Sequence, residues 1–208
     1  MHFTVRFIMA ACVTLVFLAG CAEKGPILLD VRYQAPEGMV SGKPKVVVGV
    51  SPFKDDRGKQ SSVLGKRTIA ANIEDDFMIK DSVAELATAR LKDALKARGF
   101  IVKDLSWDRT EQGIKSDGAD ILLGGEIKTL GVDTASKPFK TAFKAVVQMR
   151  ILVADTAAKK IIKTFEVSSK LELEDFYSRE KVENMLSEAL SAALDQIFKD
   201  EELKKKMQ

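Results

Sequence analysis

Thr141-Ala142-Phe143-Lys144-Ala145-Val146-Val147-Gln148-Met149-Arg150-Ile151-Leu152-Val153-Ala154 is the stretch that decides the fold of this chain. Phe143, Ala145, Val147, Met149, Ile151 and Val153 fall on one side of an extended backbone, and Lys144, Gln148 and Arg150 fall on the other. Successive side chains of a strand alternate faces, so this is a strand with one buried and one wet face, the habit of antiparallel sheets. The charges on the wet side argue against a membrane-inserted hairpin, whose outward face meets lipid.

Two similar runs flank it. Ala119 to Val132 precedes it, and Ile161 to Leu173 follows after the tight connection Asp155-Thr156-Ala157-Ala158-Lys159-Lys160. Upstream, Lys45-Val46-Val47-Val48-Gly49-Val50-Ser51-Pro52-Phe53 fits a short buried strand closed by Pro52, and Phe100-Ile101-Val102 starts another. Lys54 to Arg67 reads as a polar segment with a turn at Asp55-Asp56-Arg57-Gly58. Thr68 to Ile79 is ambiguous, with Thr68-Ile69-Ala70-Ala71-Asn72 as a possible short strand.

Two helices complete the pattern. Asp81 or Ser82 can N-cap the first, Val83, Leu86, Ala87, Leu91, Ala94 and Leu95 share one face, and Gly99 ends it. The second runs from about Ser178 to Phe198, with a stripe of Val182, Met185, Leu186, Ala189, Leu190, Ala193, Leu194 and Ile197. The order predicts an α+β fold: a mostly antiparallel sheet with a long three-strand meander, and two amphipathic helices packed on one face.

The N-terminus carries an address. Arg6, with His2 nearby, precedes the apolar run Phe7 to Leu18, and Leu18-Ala19-Gly20-Cys21 follows directly. This is a secretory signal peptide in order, with an apolar run well short of the ~20 residues that span a bilayer as a helix. Cleavage at an A-x-A-like site would leave Cys21 a stray thiol. Leucine at minus three and glycine at minus one favour the lipobox instead, with cleavage between Gly20 and Cys21. In this the chain resembles bacterial lipoproteins as a class. The resemblance implies a covalent diacylglycerol and an N-acyl chain on Cys21, a lipid bilayer held through that cysteine, and no other cofactor. Two or more chains anchor stably where one holds marginally. Ala22 stands where inner-membrane lipoproteins carry aspartate, so the implied address is the outer membrane, periplasmic face.

The expected organisation is a leader over 1–20, a lipidated cysteine and Pro/Gly tether over 21–44, one periplasmic domain over 45–199 and a charged tail over 200–208. Ile27 to Tyr33 either adds an edge strand or stays free; a free tether of this length has a root-mean-square reach of roughly 25 to 30 Å.

Removing residues 1–20 discards His2 and Cys12, the only histidine and the only other cysteine. No Ser-His-Asp or Cys-His nucleophile can then be built, nor a His/Cys zinc site, nor an intrachain disulfide. The formal charge of +3 falls by one with the loss of Arg6, acids and bases are interspersed, and no nucleic-acid partner is implied. No metal or catalytic residue is assigned.

What chemistry remains rests on carboxylates. A glycosidase needs two of them about 5 to 9.5 Å apart, and Asp55 with Asp56, Glu74 to Asp76, and Glu172, Glu174 and Asp175 are the raw material. Nothing in the sequence brings two of them across a cleft. Glu126 interrupts an apolar strand, but its register sets it beside Lys128 on a wet face. Gly65-Lys66-Arg67-Thr68 approaches a phosphate-binding loop and fails it, because Gln60 replaces the upstream glycine and Arg67 follows the lysine; it reads as a surface loop. Candidate partner-binding residues are Trp107, the one tryptophan, and Gly124-Gly125, where a ligand backbone can approach closely. Loop packing for Trp107 and a bulge or bend for the glycines are the commoner explanations. Lys204-Lys205-Lys206 reads as a solvated helix end or a lipid contact.

A lipobox, then Leu95-Lys96-Ala97-Arg98-Gly99-Phe100 closing a helix, Ala119-Asp120-Ile121-Leu122-Leu123 opening a long strand, a strand hairpin and an amphipathic C-terminal helix together resemble the YajG-type lipoproteins. The family implies an envelope lipoprotein and no reaction. Val48-Gly49-Val50-Ser51-Pro52-Phe53 and Gly118 to Ile127 are more distantly similar to strands in periplasmic domains of curli-channel and penicillin-binding-protein activator lipoproteins. The expectation is a non-enzymatic, lipid-anchored envelope lipoprotein whose domain binds another envelope component, a protein. The alternatives are a carboxylate-dependent peptidoglycan hydrolase and an assembly subunit, with the oligomeric state open.

Overall fold

The computed structural model describes residues 25–39, 46–69 and 73–207. The leader, the lipobox Leu18-Ala19-Gly20-Cys21 and part of the tether lie outside the described residues. In chain order the strands are β1 (Ile27–Leu28), β2 (Val47–Val50), β3 (Lys54–Asp55), β4 (Val63–Ile69) and β5 (Ile73–Met78). Helix α1 (Val83–Ala97) and β6 (Ile101–Asp104) follow, then β7 (Ile121–Lys137), β8 (Lys140–Asp155) and β9 (Lys160–Asp175). The chain closes with α2 (Arg179–Asp195), a 3₁₀ turn (Ile197–Lys199) and α3 (Glu201–Lys206).

The meander is present and longer than its apolar pattern. Thr134 to Lys137 and Glu172 to Asp175 are mostly polar, yet their backbones stay in the ladder through Lys137↔Lys140 and Thr141↔Asp175. Alternation reports burial, so it stops where the core stops, whereas pairing continues to the turn.

The expectation of a mostly antiparallel sheet holds for the long meander and the β4–β5 hairpin, and short parallel pairings join them. The sheet is mixed: one edge of β7 pairs antiparallel with β8 along its length, and the other takes β2, β3 and β4 in succession, all parallel. β6 lies parallel outside β2, and β1 parallel outside β5; β4 and β5 form an antiparallel hairpin. The segment read as a polar loop thus supplies β3 and β4, and Gly65-Lys66-Arg67-Thr68 is strand. Short strands sheltered beside a long one keep their hydrogen bonds despite a charged sequence, and that leaves no periodic signal.

Both long helices pack on one face. Val83, Ala87, Leu91 and Leu95 of α1 and Val182, Leu186, Ala189, Leu190 and Leu194 of α2 meet the inward residues of β8 in one core. Ser82 caps α1 with a capping box, its Oγ accepting from Glu85 N at 3.1 Å while its own N donates to Glu85 Oε2 at 2.9 Å. The helix closes at Gly99, φ +88°, where Gly99 N donates to Lys96 O and Phe100 N to Leu95 O. The C-terminal lysines are exposed on a helix end, as expected. They ride on α3, capped by Asp200, and Leu203 and Met207 are buried in the main core, so only the charged side of this segment is wet.

Candidate functional site

Most carboxylates of the acid clusters are ion-paired. Asp55 and Arg57 bond bidentately, Nε to Oδ1 and Nη2 to Oδ2 each at 2.8 Å, and the Arg57 side chain is 3% exposed. Arg57 Nη1 also donates to Val63 O and Leu130 O, so it stitches β3, β4 and β7 together. Asp56 meets Lys54 at 2.9 Å and Lys128 at 3.0 Å, and Glu126 meets Lys128 at 2.8 Å. Glu74 pairs with Lys66, Glu172 with Lys170, Glu174 with both Lys137 and Lys140, and Asp175 with Lys181.

Several of these partners lower the carboxyls they meet. Arg57 holds the Asp55 carboxyl below its usual range, Lys54 and Lys128 do so for Asp56, and Lys128 does so for Glu126. Lys170 lowers Glu172, Lys181 lowers Asp175, and the two lysines on Glu174 bring it to about 2. A glycosidase general acid must stay protonated near neutral pH, with its pKa raised. These carboxyls are shifted the opposite way.

Trp107, Gly124 and Gly125 come together, but in internal packing. Trp107 is 3% exposed and caps a second small core with Ile114, Leu122 and Leu152 on the sheet face opposite the helices. Its indole N–H donates to Thr110 O at 2.8 Å. A Cβ on Gly124 would lie 3.3 Å from the indole, and one on Gly125 would lie 2.6 Å from the Phe53 ring and 2.5 Å from Arg150 O. The adjacent glycines therefore admit an aromatic ring on each face of β7. The bulge in this strand falls at Lys128, between Ile127 and Thr129, and not at the glycines.

Within the segment expected as tether, residues 27–34 are docked on the domain. Ile27 and Leu28 join the sheet beside Phe77 and Met78, and residues 29–34 then leave it to run along α2. Asp30 N donates to Glu183 Oε1 at 3.0 Å, Arg32 N to Ser187 Oγ at 3.0 Å and Gln34 N to Ser191 Oγ at 2.8 Å. Alternate residues of an extended chain are ~6.6 Å apart and every fourth helical residue ~6.0 Å, so the two repeats match over this distance. Leu29 and Val31 point into the core. Tyr33 closes the strap, its hydroxyl donating to Asp195 at 2.7 Å and accepting from Arg98 Nη1 at 2.7 Å. Burial, then the Asp195 carboxylate, push the Tyr33 phenol up to about 12. Sequence reading missed this site, although Glu183, Ser187 and Ser191 at four-residue spacing beside the apolar stripe were its signal.

The outer edge of β9 is the other candidate. Ser168 N donates to Gln196 Oε1 at 3.3 Å and Gln196 Nε2 donates to Ser168 O at 2.6 Å, while Ile161 N donates to Glu111 Oε1 at 3.2 Å. Outward-facing backbone groups recur at every second residue of an edge strand, so Lys170, Glu172 and Glu174 present theirs as Ser168 does. Among the described residues nothing bonds them on that side.

Among the described residues, no helix is long and apolar enough to cross a membrane. In comparison with known families, residues 53–208 match the model of one described as uncharacterized lipoprotein. No curated protein sequence matches. Protein XCC0632 from Xanthomonas campestris superposes with a TM-score of 0.51 at 10% identity, over 82% of this chain and 91% of that one, which shows a common fold. PelC from Paraburkholderia phytofirmans, a dodecamer, gives a TM-score of 0.44 at 12% identity over 82% and 90%. The LpoB C-terminal domain from Escherichia coli gives 0.32 at 13% identity over 64% and 87%.

Proposed function

Because the chain belongs to the YajG-type family of uncharacterized lipoproteins, we propose that it is anchored through acylated Cys21 on the periplasmic face of the outer membrane. There its domain binds an extended segment of another envelope protein, without catalysis. Leu18-Ala19-Gly20-Cys21 and the alanine at position 22 support the anchor and its address. The observation that carries the binding reading is the β9 edge, closed by side chains at Ile161 and Ser168 and open from Lys170 to Glu174. An added strand takes its affinity from main-chain hydrogen bonds and its specificity from alternate side chains. Lys170, Glu172 and Glu174 supply a charged pattern for such selection, and charge on an edge also discourages indiscriminate pairing. The lowered carboxyls of the acid clusters favour binding over hydrolysis.

The test is a photo-crosslinking residue at Glu172 in cells, with one at exposed Lys59 as control. A discrete protein adduct from position 172, absent from position 59 and diminished by Lys170→Pro, is the expected result. An adduct indifferent to Lys170→Pro, an adduct only with a second copy of this chain, or none at all would overturn the edge reading.

A further inference from the structure

The end of the sheet bearing the β7–β8 turn, where β4 ends and β5 begins, exposes apolar side chains that the fold does not use. Phe139 is 93% exposed, Phe176 is 73% exposed, and Ile73 and Leu173 are also exposed. Register places them together: Lys137 pairs with Lys140 around Phe139, Thr141 pairs with Asp175 next to Phe176, Ile69 pairs with Ile73, and Thr68 beside it pairs with Ala135. Phe139 also holds an unusual backbone. Its φ is +66°, after Pro138, the arrangement of a type II turn whose third position favours glycine or asparagine. A large ring at that position is strained and bare at once, a combination that clusters at functional sites.

The chain direction says what faces this tip. β1 runs parallel to β5, with Ile27 beside Phe77, so the chain enters β1 from the side of Ile73 and the tip. Only five residues lie between Cys21 and Ile27, and the six Cα steps span at most ~20 Å. From the level of Ile27 to that of Ile73 is about 13 Å and to that of Lys137 beside the tip ~17 Å, whereas the opposite end of β7 at Ile121 lies ~36 Å away. An anchor at Cys21 thus reaches a membrane at the tip and falls short of one at the other end.

We propose that this tip rests on the bilayer and that Phe139 and Phe176 enter its interfacial layer, orienting the domain. This rests on the lipid anchor at Cys21. Aromatic rings favour the membrane–water boundary, and the flanking Lys137 and Lys140 are already engaged by Glu174, so the contact is apolar.

The test uses the full lipidated protein in phosphatidylethanolamine–phosphatidylglycerol liposomes. An environment-sensitive fluorophore is placed through Phe139→Cys, or through Ala157→Cys at the far turn; acylated Cys21 does not react. Both proteins should float with the liposomes, which reads the anchor. Only the probe at 139 should shift to shorter wavelength and be quenched by spin-labelled lipid. A floating protein whose probe at 139 stays as aqueous as that at 157 overturns the tip contact and leaves the anchor standing; failure to float overturns both. Shielding that tracks protein concentration without lipid would show a second copy on the tip and overturn the proposal. Phe139→Gly, which suits the positive φ better, should raise Tm while weakening protection of a probe placed through Phe176→Cys; unchanged protection there counts against Phe139 as an inserted group.

Discussion

Gln196 closes the edge of β9 by imitating a strand: its amide accepts from Ser168 N and donates to Ser168 O, as a neighbouring peptide would. The residue sits at the C-cap of α2, whose own backbone N–H bonds Ala193 O, so the helix holds the plug in register.

Gln196→Ala should therefore change association more than stability. The lost bonds lie near solvent, and the cost to the fold should be about 1 kcal/mol. The edge from Ser168 to Glu174 becomes continuous, and sedimentation velocity should show self-association that the parent protein lacks at equal concentration. A variant that stays monomeric would mean that the charges of the edge, and not the plug, hold copies apart.

Ser187 and Ser191 each do two jobs, donating to a carbonyl one turn back and accepting from the strap. Ser187→Ala or Ser191→Ala should cost about 1 kcal/mol each, with the amides of Arg32 and Gln34 left unpaired. Hydrogen exchange should speed up at those two amides and not in β8. Equal acceleration across β8 would show that the strap and the sheet open as one unit.

Arg57 is the side chain whose loss should hurt the fold most. Arg57→Ala strands Asp55 and two carbonyls in a largely buried site, and removing one partner of such a pair costs ~3–5 kcal/mol. Arg57→Lys should recover little, since an ammonium cannot reproduce the fork. Asp55 has its carboxyl lowered by Arg57, so its contribution is present above the ordinary aspartate range and disappears as pH falls through the lowered value. Denaturant midpoints measured against pH should lose part of that acid-side decline in Arg57→Ala.

Tyr33 makes the strap sensitive to alkali. Its phenol is raised to about 12, so its contribution is complete below the ordinary value of 10 and is lost as pH rises through the raised one. Protease cleavage within residues 29–34 should increase between about pH 10 and 12, the window between those two values. In Tyr33→Phe this rise should flatten; an unchanged pH profile would assign it to another group.

The three long strands were legible because their faces differ: Phe143 to Val153 alternates against helices on one side and water on the other. The parallel strands were not. β4 reads Val-Leu-Gly-Lys-Arg-Thr-Ile, and its place follows from which segment can lie beside β7 at Thr134 and Ala135, a relationship no local pattern encodes. The strap escaped for a similar reason. Arg32 and Ser187 are far apart in sequence, and the Pro and Gly residues around the segment suggested freedom where the hydrogen bonds show docking. Trp107 was legible as a lone aromatic with loop packing the commoner role, but its match with Gly124, which admits the ring, became apparent only in three dimensions.

The strap has a temporal side as well. Leu29 to Gln34 complete their contacts only against Glu183 to Asp195, so the first described segment and the last long helix must both be available before either is finished. Contacts this distant in sequence form late, after long loops have closed. A chain delivered N-terminus first would carry its opening residues unclasped through almost the whole of its passage, and the arrival of α2 would end the wait.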